Sequence, residues 1–71
     1  MNTVGYQGIG GSYSESLISF YIEDSEAISC KTFRDIFIKL KNDEIKYGLI
    51  PIENNYIIIH ELALMITILL L

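Results

Sequence analysis

The chain has 71 residues, room for one small domain that buries only about 60% of the surface its unfolded form exposes. At 51% hydrophobic and 20% charged residues it is too apolar to be disordered. A net charge of −4 and a pI near 4.6 argue against nucleic acid or an anionic membrane surface as partner, though not against a small anion, which backbone N–H groups bind without any lysine. Cys30 has no second cysteine to pair with, so an intrachain disulfide is excluded. No basic segment followed by an apolar core opens the chain, and the expectation is a reducing, cytoplasmic setting.

Residues 3–7 read as a first strand, followed by the loop Gly8-Ile9-Gly10-Gly11. Ser12-Tyr13-Ser14-Glu15 then has the spacing of a capping box, with Ser12 as N-cap and Glu15 reaching back. Leu17, Ile18, Phe20, Tyr21 and Ile22 supply the apolar face of the helix that follows. The loop is not a dinucleotide fingerprint: Gly8 and Gly10 fill the first two positions of Gly-x-Gly-x-x-Gly, but Tyr13 takes the third, where close helix–strand packing needs a glycine. A plain tight turn and a helix N-terminus that binds carboxylate or phosphate, aided by Ser12 and Ser14, both remain open.

Glu23-Asp24-Ser25-Glu26 reads as a solvated turn, and residues 27–30 as a second short strand ending in a buried Cys30. Thr32 is the N-cap candidate of a second helix, with Asp35 three residues on. Phe33, Ile36, Phe37 and Leu40 follow its i, i+3, i+4, i+7 stripe and predict a core face. Lys39 and Lys41 suit the negative end of that helix, and Asn42-Asp43-Glu44 reads as its exit. Thr32 occupies the place in the second unit that Ser12 occupies in the first, so it also reads as a ligand contact.

The uncharged run Tyr47-Gly48-Leu49-Ile50-Pro51-Ile52 predicts a third strand buried on both faces, delivering Glu53-Asn54-Asn55 at its carboxyl end. Strand–helix–strand–helix–strand implies right-handed crossovers and a parallel sheet, with the carboxyl ends of all three strands at one crevice. Glu53 and Asn54 are the polar pair delivered there; the plainer reading is that they cap a following helix. Residues 56–71 are apolar apart from His60, Glu61 and Thr67. That run is too short and interrupted for a membrane span of about 20 residues. It predicts a core helix seeking a partner surface, with His60 a surface or capped residue.

Three motifs in order, Gly8-Ile9-Gly10-Gly11-Ser12-Tyr13-Ser14-Glu15, Cys30-Lys31-Thr32-Phe33-Arg34-Asp35-Ile36-Phe37 and Tyr47-Gly48-Leu49-Ile50-Pro51-Ile52-Glu53-Asn54, resemble the opening third of prephenate dehydratases. The resemblance covers roughly residues 3–55. It implies an α/β domain with a three-stranded parallel sheet flanked by helices, one lobe of a type II periplasmic-binding-protein-like fold. It further implies conversion of prephenate to phenylpyruvate with loss of water and carbon dioxide, in phenylalanine biosynthesis, without metal or organic cofactor and usually in a homo-oligomer. Gly11, Ser12, Tyr13 and Thr32 match positions lining the substrate cleft, and Glu53 and Asn54 match an active-site pair.

The chain also departs from the family's pattern. After Glu-Asn the family continues with Ser or Thr and a glycine-containing turn, then a helix with a Tyr-Asp-Leu-Leu type motif; here Asn55-Tyr56-Ile57-Ile58 and Leu62-Ala63-Leu64-Met65 stand instead. The second lobe, with its Thr-Arg-Phe motif, and the phenylalanine-binding regulatory domain have no counterpart. The expectation is therefore a partial dehydratase domain over residues 1–71, inactive alone, with residues 56–71 a divergent apolar tail suited to association. The alternative is a non-catalytic ligand-binding or interaction module of the same fold. Neither reading calls for nucleic acid or a membrane.

Overall fold

The computed structural model describes residues 1–8, 13–53 and 55–60, together with the backbone of residues 65–70. In chain order the elements are β1 (Asn2–Gln7), α1 (Tyr13–Tyr21), β2 (Ser25–Cys30), α2 (Phe33–Lys41), β3 (Tyr47–Ile52), β4 (Asn55–His60) and β5 (Met65–Leu70). They form one sheet of order β2-β1-β3-β4-β5. β2 and β3 both run parallel to β1, in register from Asn2↔Ser25 to Gln7↔Cys30 on one side and from Val4↔Tyr47 to Tyr6↔Leu49 on the other.

The parallel part follows from chain length between strands. A parallel neighbour needs a crossover, and each helix supplies one. The first crossover moves from β1 to β2, and the second returns past β1 to β3. Two right-handed crossovers in opposite directions put their helices on opposite faces of the sheet. Accordingly, Ile18 of α1 packs with Val4, Tyr6, Leu49 and Ile58 on one face, while Ile36 and Leu40 of α2 pack with Cys30 and Ile45 on the other. Gly5 and Gly48 lie opposite each other in register beneath α2. A Cβ on Gly48 would stand 2.7 Å from Ile36 Cγ2, and one on Gly5 would stand 2.5 Å from Ile45 Cδ1, so missing side chains let the helix sit down on the sheet.

Both ends of α2 are closed by local chemistry. Thr32 has extended backbone, and its Oγ1 accepts from the Asp35 N–H at 3.1 Å, the expected N-cap. At the other end the Asp43 N–H donates to the Leu40 carbonyl at 3.2 Å and the Glu44 N–H to the Lys39 carbonyl at 2.8 Å. This is a Schellman motif, with Asp43 (φ 58) in its left-handed position.

The expected three-stranded parallel sheet is corrected by the two added strands. The run expected as a core helix is not helical where it is described: residues 55–60 and 65–70 form an antiparallel hairpin on the edge of β3. The physical reason is composition. Tyr56-Ile57-Ile58-Ile59 and Ile66-Thr67-Ile68 are rich in β-branched and aromatic residues, which lose χ1 freedom in helices and pack well on a pleated surface. The helix faces also differ from expectation. Ile36 and Leu40 are buried, but Phe33 is 36% and Phe37 39% exposed, and Phe20 of α1 is 80% exposed. Nine-residue helices lying flat on a narrow sheet bury a two-residue stripe and leave the flanking aromatics outside.

Candidate functional site

Because β1, β2 and β3 are parallel, their exits share one edge of the sheet, and the first turns of α1 and α2 rise from the same edge. The expected convergence is therefore present. The pairing Gln7↔Cys30 brings Gly8 level with Lys31, and the register of β1 on β3 brings Gly8 level with Pro51. Thr32 thus stands one residue beyond the exit of β1 on one side, and Glu53 two residues beyond it on the other. Two interstrand spacings separate the rows carrying them, about 10 Å. The two positions therefore flank the exit of β1, one on each side.

Each position has a local cause. Tyr13 opens α1 and is 62% exposed. The first turn of α1 is tied to the sheet through Tyr6, buried on β1, whose hydroxyl donates to Glu15 Oε2 at 3.1 Å. Thr32 is held as the N-cap of α2, and its hydroxyl proton is still available for a ligand while its oxygen caps the helix. Gly8, with φ 147, has a backbone that residues with side chains avoid, so the exit of β1 bends as only glycine readily bends.

Glu53 is exposed and follows β3 directly. Ile52 pairs with Asn55 across the β3–β4 ladder, so Glu53 opens a tight connection between two antiparallel strands. Glu53 leads into β4 and caps no helix, which overturns the plainer reading for that residue. Two-residue hairpins favour positive φ at their centre, and Glu53 has φ 43, a conformation that suits glycine or asparagine far better. Backbone strain of this kind persists where the surroundings impose it, and functional positions are where it collects. Gly11, Ser12 and Asn54 lie outside the described residues.

Sequence reasoning missed the basic pair beside Thr32. Lys31 and Arg34 are both exposed and flank the positive end of α2, where an anion is favoured. Their signal was present in the run Lys31-Thr32-Phe33-Arg34, read only for its cap. His60 belongs elsewhere. It pairs with Tyr47 at the start of β3, with ring centroids 4.7 Å apart, roughly 20 Å of strand away from Glu53. Among the described residues no three His, Cys, Asp or Glu side chains gather as a metal would require, and no helix is long and apolar enough to cross a membrane.

No curated protein and no solved structure matches the chain. The sequence pattern of the family described as prephenate dehydratase matches residues 4–70. That span takes in both helices and every described strand except the first two residues of β1. A match of this extent settles the family, and the chain belongs to the prephenate dehydratases.

Proposed function

We propose that the shared edge of β1, β2 and β3 binds prephenate, and that the chain is one lobe of a type II periplasmic-binding-protein-like dehydratase. The observation that supports this reading best is the placement of Tyr13, Thr32 and Glu53 around a single sheet edge by a family member. Prephenate is a dicarboxylate. The N-terminus of α2, with Lys31 and Arg34 beside it, offers one carboxylate a favourable end. Gly11, Ser12 and Tyr13 would line the glycine loop's side of the substrate.

In the reaction the ring C–O bond breaks, and the departing hydroxyl takes up one proton and leaves as water. The bond from the ring to its carboxylate breaks as well, carbon dioxide leaves, and that electron pair completes the aromatic ring of phenylpyruvate. The driving force is in the substrate, so the protein's task is to orient it and stabilise charge on the leaving oxygen. Asn54 would donate a hydrogen bond to that oxygen. Glu53, exposed at the turn, would orient Asn54. No metal or organic cofactor enters this scheme.

Turnover also needs an active site closed to water. The edge formed by the described residues is open, so we expect binding without normal turnover from this chain alone, in a cytoplasmic setting. Calorimetry with prephenate tests the reading. Binding that Asn54→Ala weakens at least tenfold supports it; a folded chain that binds no prephenate refutes it. Phenylpyruvate formation at rates usual for an enzyme would refute the expectation of inactivity. The openness of the edge also favours a second reading, a non-catalytic binding module, which predicts tight binding of unreactive dicarboxylates as well as of prephenate.

A further inference from the structure

The exits of β1 and β2 are laced together beyond what a parallel ladder requires. The Gly8 N–H donates to the Cys30 carbonyl at 3.3 Å, which continues the ladder by one step. Two side chains add bonds of their own. The Gln7 side-chain amide donates to the Lys31 carbonyl at 3.1 Å, and the Ser29 hydroxyl donates to the Gly8 carbonyl. Gln7 is level with Cys30, which faces α2, and Ser29 is level with Tyr6, which faces α1. The two bonds therefore run reciprocally, one on each face of the sheet. They end on Lys31 and Gly8, the residues immediately before Thr32 and before the loop 9–12. The same residues, with Cys30, line a groove of about 550 Å³ at this edge.

We infer that Gln7 and Ser29 are positioning residues: they fix the N-terminus of α2 relative to the exit of β1 at Gly8, so that the two strand exits bordering the substrate edge keep one spacing. The inference rests on the prephenate-binding reading and adds two residues to it. Both bonds are exposed, and exposed hydrogen bonds add little to folding because water replaces them. Displacing one wall of a binding site by about an ångström, in contrast, weakens binding of a rigid ligand steeply. The signature of positioning is thus a loss of affinity without a matching loss of stability.

The test is prephenate calorimetry and thermal melting on the full chain with Gln7→Ala, Gln7→Glu, Ser29→Ala and Ser29→Thr. Gln7→Ala and Gln7→Glu, which both lack the amide donor, and Ser29→Ala are each expected to weaken binding about tenfold while the melting temperature moves by no more than about 2 °C. Ser29→Thr keeps the hydroxyl and is expected to bind as the unaltered chain does. Unchanged affinity in Gln7→Ala and Ser29→Ala, or affinity and stability falling together, overturns the inference. Amide hydrogen exchange separates this failure from failure of the functional reading, because it needs no ligand. If the unaltered chain binds no prephenate, faster exchange at residues 32–35 in Gln7→Ala, with β3 unchanged, still upholds the positioning role, and unchanged exchange there overturns it.

Discussion

Thr32 carries a structural duty that can be separated from any ligand contact. Its Oγ1 caps α2 through the Asp35 N–H, so Thr32→Ala should destabilise the chain by about 1 kcal/mol in urea unfolding, and Thr32→Ser should recover most of that. Glu53 presents the opposite balance. At φ 43 it holds a left-handed conformation in which the Cβ crowds the backbone carbonyl oxygen, and asparagine tolerates it better. Glu53→Asn should therefore raise the stability of the folded chain by about 0.5–1 kcal/mol while weakening prephenate binding; melting curves and calorimetry on one preparation check both halves. The cap at Thr32 was legible because Thr-x-x-Asp before an apolar stripe is a local signal. The turn at Glu53 was not, because it is set by the pairing of Ile52 with Asn55 and goes against the preference of glutamate itself.

Among the elements, α2 depends most on what lies beneath it. Ile36 is fully buried and its Cγ2 meets the space over Gly48, with Leu40 Cδ1 at 3.2 Å from the same point. A methyl group on Gly48 would push against two core side chains, and Gly48→Ala should cost about 1–3 kcal/mol by overpacking. Gly5→Ala should be milder, since its nearest obstacle is the terminal methyl of Ile45, which can turn aside. Comparing the two midpoints in denaturant is the check, and a Gly5→Ala loss equal to that of Gly48→Ala would contradict this account. The three parallel strands and two crossover helices could be read from the alternation of short apolar runs with amphipathic ones. The hairpin of β4 and β5 could not, because a continuous apolar run lacks the period that tells strand from helix, and only its β-branched content pointed to strands. Phe33 and Phe37 misled for a different reason: periodicity marks the apolar stripe but not how much of it a narrow sheet can cover.

For the molecule as a whole, the buried cysteine offers a probe of folding and of alkaline stability. Burial pushes the Cys30 thiol above its ordinary value of 9.0, with Lys39 pulling more weakly in the other direction. A raised value means that the folded chain holds this proton more tightly than the unfolded chain does. The contribution is therefore complete below about pH 9 and is lost as pH climbs through the folded value. Melting temperatures at pH 7 and pH 10 should fall further in the unaltered chain than in Cys30→Ala. A thiol reagent at pH 8 should label Cys30 slowly until urea unfolds the chain. Composition already pointed to an inert, buried thiol. It did not show that Lys39 lies near it, since that proximity arises only when α2 folds over β2.

The turn between β3 and β4 ties chemistry to architecture in a way that bears on how such a chain can drift. With Ile52 facing Asn55, inserting one residue into the turn would turn Ile58 outward and send its neighbours toward the core, undoing the face that Leu49 shares with it. The length of the turn is therefore held by the sheet whether or not any substrate is bound. If the edge binds prephenate as proposed, a glutamate at position 53 is kept by the ligand against the preference of the backbone. In a lineage that had abandoned the reaction, the turn would keep its two residues, and glutamate at position 53 would be among the first to give way to asparagine or glycine.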